Sequence, residues 1–297
     1  MYEKELEEIV RSAGAMLIEN IGTLQITKKG RANFVTQMDV AVQEYIRKKL
    51  YELDPTVILL AEEQENAAPQ PNRSYWILDP IDGTQNFIRH LGMSAIALAH
   101  YDSGVLQTGL VYNPFTEELF FASRGNGAFL NGNALSVTDT ETLDDSLIVI
   151  GTSPYDRQFT TTNFALWQDI FEHTLDIRRT GSACLDLAYV AAGRFDGYFE
   201  RNLKPWDMAA GILLVEESGG IVTDYRGDMV AVLKNSDICA GSPEIHKKLI
   251  KKSNITGLFK DIIKKFLYNR RCKKSIIQFD VNKAYFHNMW YNEIRYS

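Results

Sequence analysis

Between residues 95 and 122 three short apolar runs, Ala95–Tyr101, Val105–Tyr112 and Glu118–Ala122, are separated only by turn-forming residues. Asp102-Ser103-Gly104 and Asn113-Pro114 leave too little chain between the runs for crossover helices. Consecutive strands joined this tightly must pair antiparallel, so the segment predicts a β-meander. Gly125–Asn133 reads as a further hairpin, and Val57–Leu60 and Tyr75–Leu78 as two earlier strands. Such a sheet needs helices to cover it. Residues 3–20 supply one, with Leu6, Ile9, Val10, Ala13, Met16 and Leu17 at helical spacing; Asp39–Leu53 supplies a second, with Val42, Tyr45, Ile46 and Leu50 on one face.

After about residue 145 the pattern changes to strands alternating with helices. Leu147–Gly151 and Tyr198–Arg201 read as strands; Asn163–His173, Cys184–Ala192 and Trp206–Ser218 read as helices, the last two closed by glycine. This predicts a mixed α+β and α/β chain, with helical layers around two sheets. The expected boundaries are an N-terminal lobe over 1–140, a second lobe over 141–252 and a basic extension over 253–297.

A chain of 297 residues is long enough for one large unit or two fused lobes. No apolar run approaches the roughly 20 residues that span a bilayer, and the first eight residues lack the basic-then-apolar order of a signal peptide. Three dispersed cysteines with no CxxC pair argue against a disulfide framework or a zinc site, and fit a reducing cytoplasm. Five scattered histidines leave carboxylates to hold any metal. Charge is uneven: between Lys247 and Lys274 the local balance is +10, which leaves −16 on the rest of a chain whose net charge is −6. An acidic body of that kind binds an anion if cations lie between.

Asp39, Glu62, Glu63, Asp79, Asp82 and Asp207 each stand where an apolar element ends, a common place for functional groups. Taken singly, Asp39 and Asp207 read equally as helix caps, and Glu62-Glu63 as surface charge. The run Asp79-Pro80-Ile81-Asp82-Gly83-Thr84 is more telling. It sets two carboxylates three residues apart in an expected turn before a helix start. Mg²⁺ takes hard oxygen ligands at about 2.1 Å, and two such ions about 4 Å apart suit an in-line displacement at phosphorus, with one carboxylate bridging them. Pro80 stiffens the turn, Gly83 allows close approach to a phosphate, and Thr84 offers a hydroxyl to orient water.

These pieces resemble the inositol monophosphatase family, within the lithium-sensitive, magnesium-dependent phosphatases. The likeness rests on Val35-Thr36-Gln37-Met38-Asp39, Ala61-Glu62-Glu63, the run from Trp76 to Phe87, Gly181-Ser182-Ala183, Gly193–Tyr198 and Pro205–Gly211, in the family's order over roughly residues 5–250. It implies a layered αβαβα sandwich of the sugar-phosphatase type, a homodimer and two or three Mg²⁺ ions. By the same resemblance, Glu62, Asp79 and the Ile81 carbonyl hold the first ion. Asp79, Asp82 and Asp207 hold the second, and Glu62 joins a weaker third. Asp39 and Thr84, with Glu62, serve the attacking water. Gly83 and Thr84 contact phosphate beside Asp82 and Asp207, and Ala183 and Glu200 contact the alcohol. Ala61 departs from the family's glycine before the Glu pair.

The implied reaction is hydrolysis of myo-inositol monophosphate. Fructose 1,6-bisphosphate, histidinol phosphate and a nucleotide 3′-phosphate are alternatives for the same machinery. A regulatory protein that binds nucleic acid or the transcription apparatus is a different alternative. The basic segment bears on that choice. Gly257–Tyr268 sets Leu258, Phe259, Ile262, Ile263, Phe266 and Leu267 opposite Lys260, Lys264 and Lys265. It reads either as a docked terminal helix or as a contact for a membrane surface or nucleic acid.

Overall fold

The meander is present, and it is the middle of a larger sheet. In the computed structural model residues 2–30 and 33–253 are described; the expected helix at Gly257–Tyr268 lies outside them. Helix α1 (Glu3–Asn20) is followed by an antiparallel hairpin of β1 (Ile26–Gly30) and β2 (Asn33–Thr36), then by helix α2 (Gln37–Leu53). Seven strands come next: β3 (Ile58–Ala61), β4 (Ser74–Asp82), β5 (Ala95–Asp102), β6 (Val105–Asn113), β7 (Glu118–Ser123), β8 (Gly127–Leu130) and β9 (Asn133–Ala134). They form one sheet in that spatial order. Only β3 and β4 run parallel; the other pairs are antiparallel. A short helix α3 (Thr84–Ile88) leaves the end of β4.

The second half contains β10 (Leu147–Ile150), α4 (Thr160–Phe171), β11 (Asp176–Arg178), α5 (Ala183–Ala191), β12 (Gly197–Leu203), α6 (Pro205–Glu217), β13 (Ile221–Thr223) and β14 (Ser236–Gly241). A helix α7 occupies residues 243–253. The five strands form a second sheet in the order β11-β10-β12-β14-β13.

Strand β5 explains the layering. Its side chains alternate, as the pleat requires. Ile96 and Leu98 pack with Leu6, Val10 and Leu17 of α1 and with Val42, Ile46 and Leu50 of α2. On the opposite side Ala95, Ala97 and Ala99 meet the layer made by α5 and α6, where Leu187, Met208 and Ile212 are buried. The small residues let α6 come close. A Cβ at Gly109 of β6 would stand 2.7 Å from the Ala210 carbonyl oxygen. That same helical layer packs on Val149, Tyr198, Ile238 and Ala240 of the second sheet. Beyond it, Ile148, Ile150, Phe199 and Cys239 are covered by Leu166, Trp167 and Ile170 of α4 and Ile245 and Leu249 of α7. The order is α, β, α, β, α, the sandwich expected.

The short strands β11, β13 and β14 and helix α7 add to the elements read from the sequence, and two features change that reading. The hairpin β1–β2 was not foreseen, because Ile26–Lys29 is exposed on both sides and so carries no apolar alternation. Asp79–Asp82 is not a free turn but the end of β4, paired with β5 through Asp79↔Ala97 and Asp82↔Ala95, with a register shift between. Pro80 sits at that irregularity, where a missing N–H is tolerated. No helix among the described residues is long and apolar enough to cross a membrane.

Candidate active site

The acids are gathered by register and by helix starts. Parallel pairing of β3 with β4 sets Ala61 against Leu78, and the Glu62 N–H donates to the Leu78 carbonyl at 3.3 Å. Glu62 therefore leaves its strand beside Asp79. Ala61 is fully buried at the end of β3 and has no positive φ, so the methyl group in place of the family's glycine fits an ordinary backbone. Asp79 is 2% exposed, and its Oδ1 accepts the Ile81 N–H at 2.9 Å.

Asp82 meets the start of α5. Its Oδ2 accepts the Ser182 hydroxyl at 2.5 Å and the Cys184 N–H at 2.7 Å. A carboxylate at a helix N-terminus also gains from the helix dipole. Ser182 accepts in turn from the Leu185 N–H, and the Cys184 thiol donates to the Asp207 carbonyl at 3.2 Å. Asp207, near the start of α6, accepts the Lys204 N–H at 2.7 Å.

Asp39 lies at the third position of α2, in a reciprocal cap with Thr36. Its Oδ2 accepts both the N–H and the hydroxyl of Thr36 at 2.6 Å, which leaves Oδ1 for Thr84, whose hydroxyl is 3.4 Å away. The same hydroxyl donates to the Ile81 carbonyl at 3.1 Å. The capping and functional readings of Asp39 and Asp207 are thus compatible. Capping fixes each carboxylate while turning it toward the other acids.

Burial and mutual repulsion push these groups toward their neutral forms. Asp79 is held well above the usual carboxylate range by burial, then by Glu62, Asp82, Asp207 and Asp39. Asp207 is raised by burial, then by Glu62 and Asp82. Glu62 is raised to about 8 by burial, then by Glu63 and Asp39, against the opposing pull of Lys29. That lysine, from β1, is ion-paired with Glu63. Asp39 is raised to about 6 by burial, partly offset by its bonds from Thr36. At Asp82 burial raises the pKa, and the Ser182 hydroxyl and the Cys184 and Ala183 N–H groups oppose it.

Among the described residues no three His, Cys, Asp or Glu side chains form a group poised to hold an ion. The fit to a divalent cation lies instead in the donor chemistry. The donors are hard carboxylate oxygens with a carbonyl between them, and a divalent cation would favour the ionised forms that burial and repulsion oppose and that Lys29 alone does not balance.

Gly83 takes φ +81°, and a Cβ there would stand 2.9 Å from the Met93 carbonyl oxygen and 3.3 Å from that of Gly181. Asn86 ties the same region together, its amide donating to the carbonyls of Met93 and Thr180 at 2.8 and 3.0 Å. Ala183 opens α5, with its N–H toward Asp82. Glu200 is buried; it accepts the Ser153 N–H at 2.8 Å and the Tyr198 hydroxyl at 2.7 Å, and its charge reaches Asp207. Ser182 and Asn86 fall in the family-like runs and Cys184 at an expected helix start, but the sequence gives none of the three its role. Their task is to join segments about a hundred residues apart, and no local pattern signals that.

Residues 2–257 match the model of the inositol monophosphatase family. The Nus factor SuhB of Escherichia coli K12 is 38% identical over 258 residues, covering 86% of this chain and 96% of its own. An inositol-1-monophosphatase of Rhizobium meliloti is 40% identical over 245 residues, covering 82% and 92%. Among solved structures, an IMPase/NADP phosphatase complexed with Mg²⁺ and phosphate superimposes with a TM-score of 0.74 at 28% identity, covering 81% of this chain and 90% of its own.

Proposed function

Because the chain belongs to the inositol monophosphatase family, we propose that it hydrolyses a small phosphate monoester, myo-inositol monophosphate first among them, with Mg²⁺ as cofactor. The observation that carries this reading is the convergence of five carboxylates, Asp39 of α2, Glu62 after β3, Asp79 and Asp82 of β4 and Asp207 of α6, raised by burial and by one another's charge, with the Thr84 hydroxyl beside Asp39. Glu62, Asp79, Asp82, Asp207 and the Ile81 carbonyl would hold two or three ions. Bound there, divalent cations neutralise the phosphoryl group and make water a better nucleophile.

The chain's own residues do the rest. Thr84 donates to Asp39 or Ile81 and keeps lone pairs to accept from a water, so it orients that water for in-line attack. Asp39 takes the proton through Thr84, and its two bonds from Thr36 hold it in place meanwhile. Gly83 and Thr84 present backbone N–H groups to the phosphate. Ala183 and Glu200 flank the departing alcohol. Asp82, anchored on α5, couples the phosphate side of the site to that alcohol side.

Phosphate release from inositol 1-phosphate, fructose 1,6-bisphosphate, histidinol phosphate and a nucleotide 3′-phosphate, with Mg²⁺ or a chelator, tests the reading. Release from the first above the others, abolished by chelation and inhibited by lithium, is expected. Release that persists undiminished in chelator overturns it. The homodimer and the cytoplasmic location belong to the same proposal.

A second reading is favoured by the Escherichia coli relative, a Nus factor by name. In it the chain serves a transcription complex, and the basic segment after residue 253 makes the contact. Full-length chain retained on such a complex, with a 1–256 form released, supports it; equal behaviour of the two removes the segment from the account.

A further inference from the structure

Tyr155 is 67% exposed on a loop that is otherwise firmly held, whereas the comparably exposed Tyr51, Phe164 and Phe171 lie on helices α2 and α4. The loop leaves β10, and its hold on β12 starts at once. The Gly151 N–H donates to the Phe199 carbonyl at 2.7 Å, and a Cβ at Gly151 would overlap the Glu200 carboxylate at 1.9 Å. Ser153 donates from its N–H to Glu200 at 2.8 Å and from its hydroxyl to the Arg201 carbonyl at 2.5 Å. Its φ of +41° is a strained value for serine, maintained by those two bonds. Asp156 closes the turn with its N–H on the Ser153 carbonyl at 2.9 Å. On the other side Arg179 donates to the Thr152 hydroxyl at 3.0 Å. Its guanidinium would meet a Cβ at Gly181, the residue whose carbonyl lies against Gly83. The loop is therefore fixed to the Glu200 strand through Ser153 and, through Arg179, to the Gly181 segment that lies against Gly83, while Tyr155 stays exposed.

An aromatic ring exposed on a rigid support beside a polar site is the usual means of binding the C–H face of a sugar-like ring. The phenol also lies within electrostatic reach of Glu62, Asp207, Asp82 and Asp79. It faces the acids without adding to their charge. Resting on the phosphatase reading above, we propose that Tyr155 is a substrate contact that selects the leaving alcohol, its ring packing against the C–H face of a cyclic polyol phosphate. An open-chain alcohol offers no such face and gains little from the ring.

The test uses the full chain with Mg²⁺, comparing wild type, Tyr155→Ala and Tyr155→Phe on inositol 1-phosphate and on 2-glycerophosphate. Tyr155→Ala is expected to raise KM for inositol 1-phosphate roughly five- to tenfold with kcat within about twofold, the loss of one aromatic contact in the bound state. Its kcat/KM on 2-glycerophosphate stays within about twofold of wild type, and Tyr155→Phe stays near wild type on both. A melting temperature unchanged within about 2 °C excludes a folding effect, since the side chain is exposed. Equal losses on the two substrates, no loss on either, or a phenylalanine variant as poor as alanine overturns the inference while leaving the phosphatase reading intact. A wild type that releases no phosphate from either substrate overturns both.

Discussion

Glu62→Gln removes the carboxylate at which repulsion within the site is easiest to measure. Burial, Glu63 and Asp39 raise Glu62 from 4.5 to about 8. A tenfold change in proton affinity is worth about 1.4 kcal/mol, so ionising Glu62 in the folded, cation-free chain costs about 5 kcal/mol relative to the unfolded one. Asp79 and Asp207 are raised within the same cluster, so Glu62 titrates jointly with them and only part of that penalty, on the order of 2–3 kcal/mol, is expected to disappear with Glu62 alone. The sign follows from proton binding. Between pH 4.5 and about 8 the folded chain holds the proton and the unfolded chain does not. Stability therefore falls as pH rises through that window, and the whole penalty stands above it.

Urea unfolding in chelator, at about pH 5 and about pH 8.5, reads this directly. Wild type is expected to lose about 2–3 kcal/mol more than Glu62→Gln between the two. Mg²⁺ at about a hundred times its dissociation constant returns about 2.7 kcal/mol to wild type, and less to the variant. Parallel pH dependence in the two proteins would refute the argument that these acids repel one another in the folded state.

Other substitutions separate structure from chemistry. Asp82→Asn keeps an oxygen for the Ser182 hydroxyl and the Cys184 N–H, so its melting temperature should stay within about 5 °C while phosphate release falls at least about 100-fold. Asp39 ionises at about 6 when no cation is near, and a neighbouring cation lowers that value. The rising limb of kcat/KM should accordingly lie at or below pH 6, and Asp39→Asn should abolish the limb and lower the rate about 10²- to 10⁴-fold. Gly83→Ala must fit a methyl group 2.9 Å from the Met93 carbonyl at φ +81°. A loss of about 1–3 kcal/mol by urea unfolding is expected, and an unchanged midpoint would mean the turn relaxes freely.

The main elements could be read from the sequence because their signals are local. Apolar spacing marked α1 and α2, and turn residues marked the meander, each within a few residues of the observed ends. The elements that escaped lack such a signal. β1 is exposed along its length and β11 spans three residues. The types of the site residues were legible for a similar reason, since Asp79-Pro80-Ile81-Asp82-Gly83-Thr84 packs several donors into six positions.

What only the tertiary structure decided is how those donors meet. Parallel register between β3 and β4 brings Glu62 beside Asp79. The start of α5, a hundred residues later, takes hold of Asp82. Alanines on one side of β5 and the glycine at 109 let α6 lie close enough to the first sheet to carry Asp207 to the others. A sequence records which groups are present because each residue carries its own chemistry. Repulsion among buried charges, and the hydrogen bonds that oppose it, depend on distances that arise only when both sheets close on the helical layer between them.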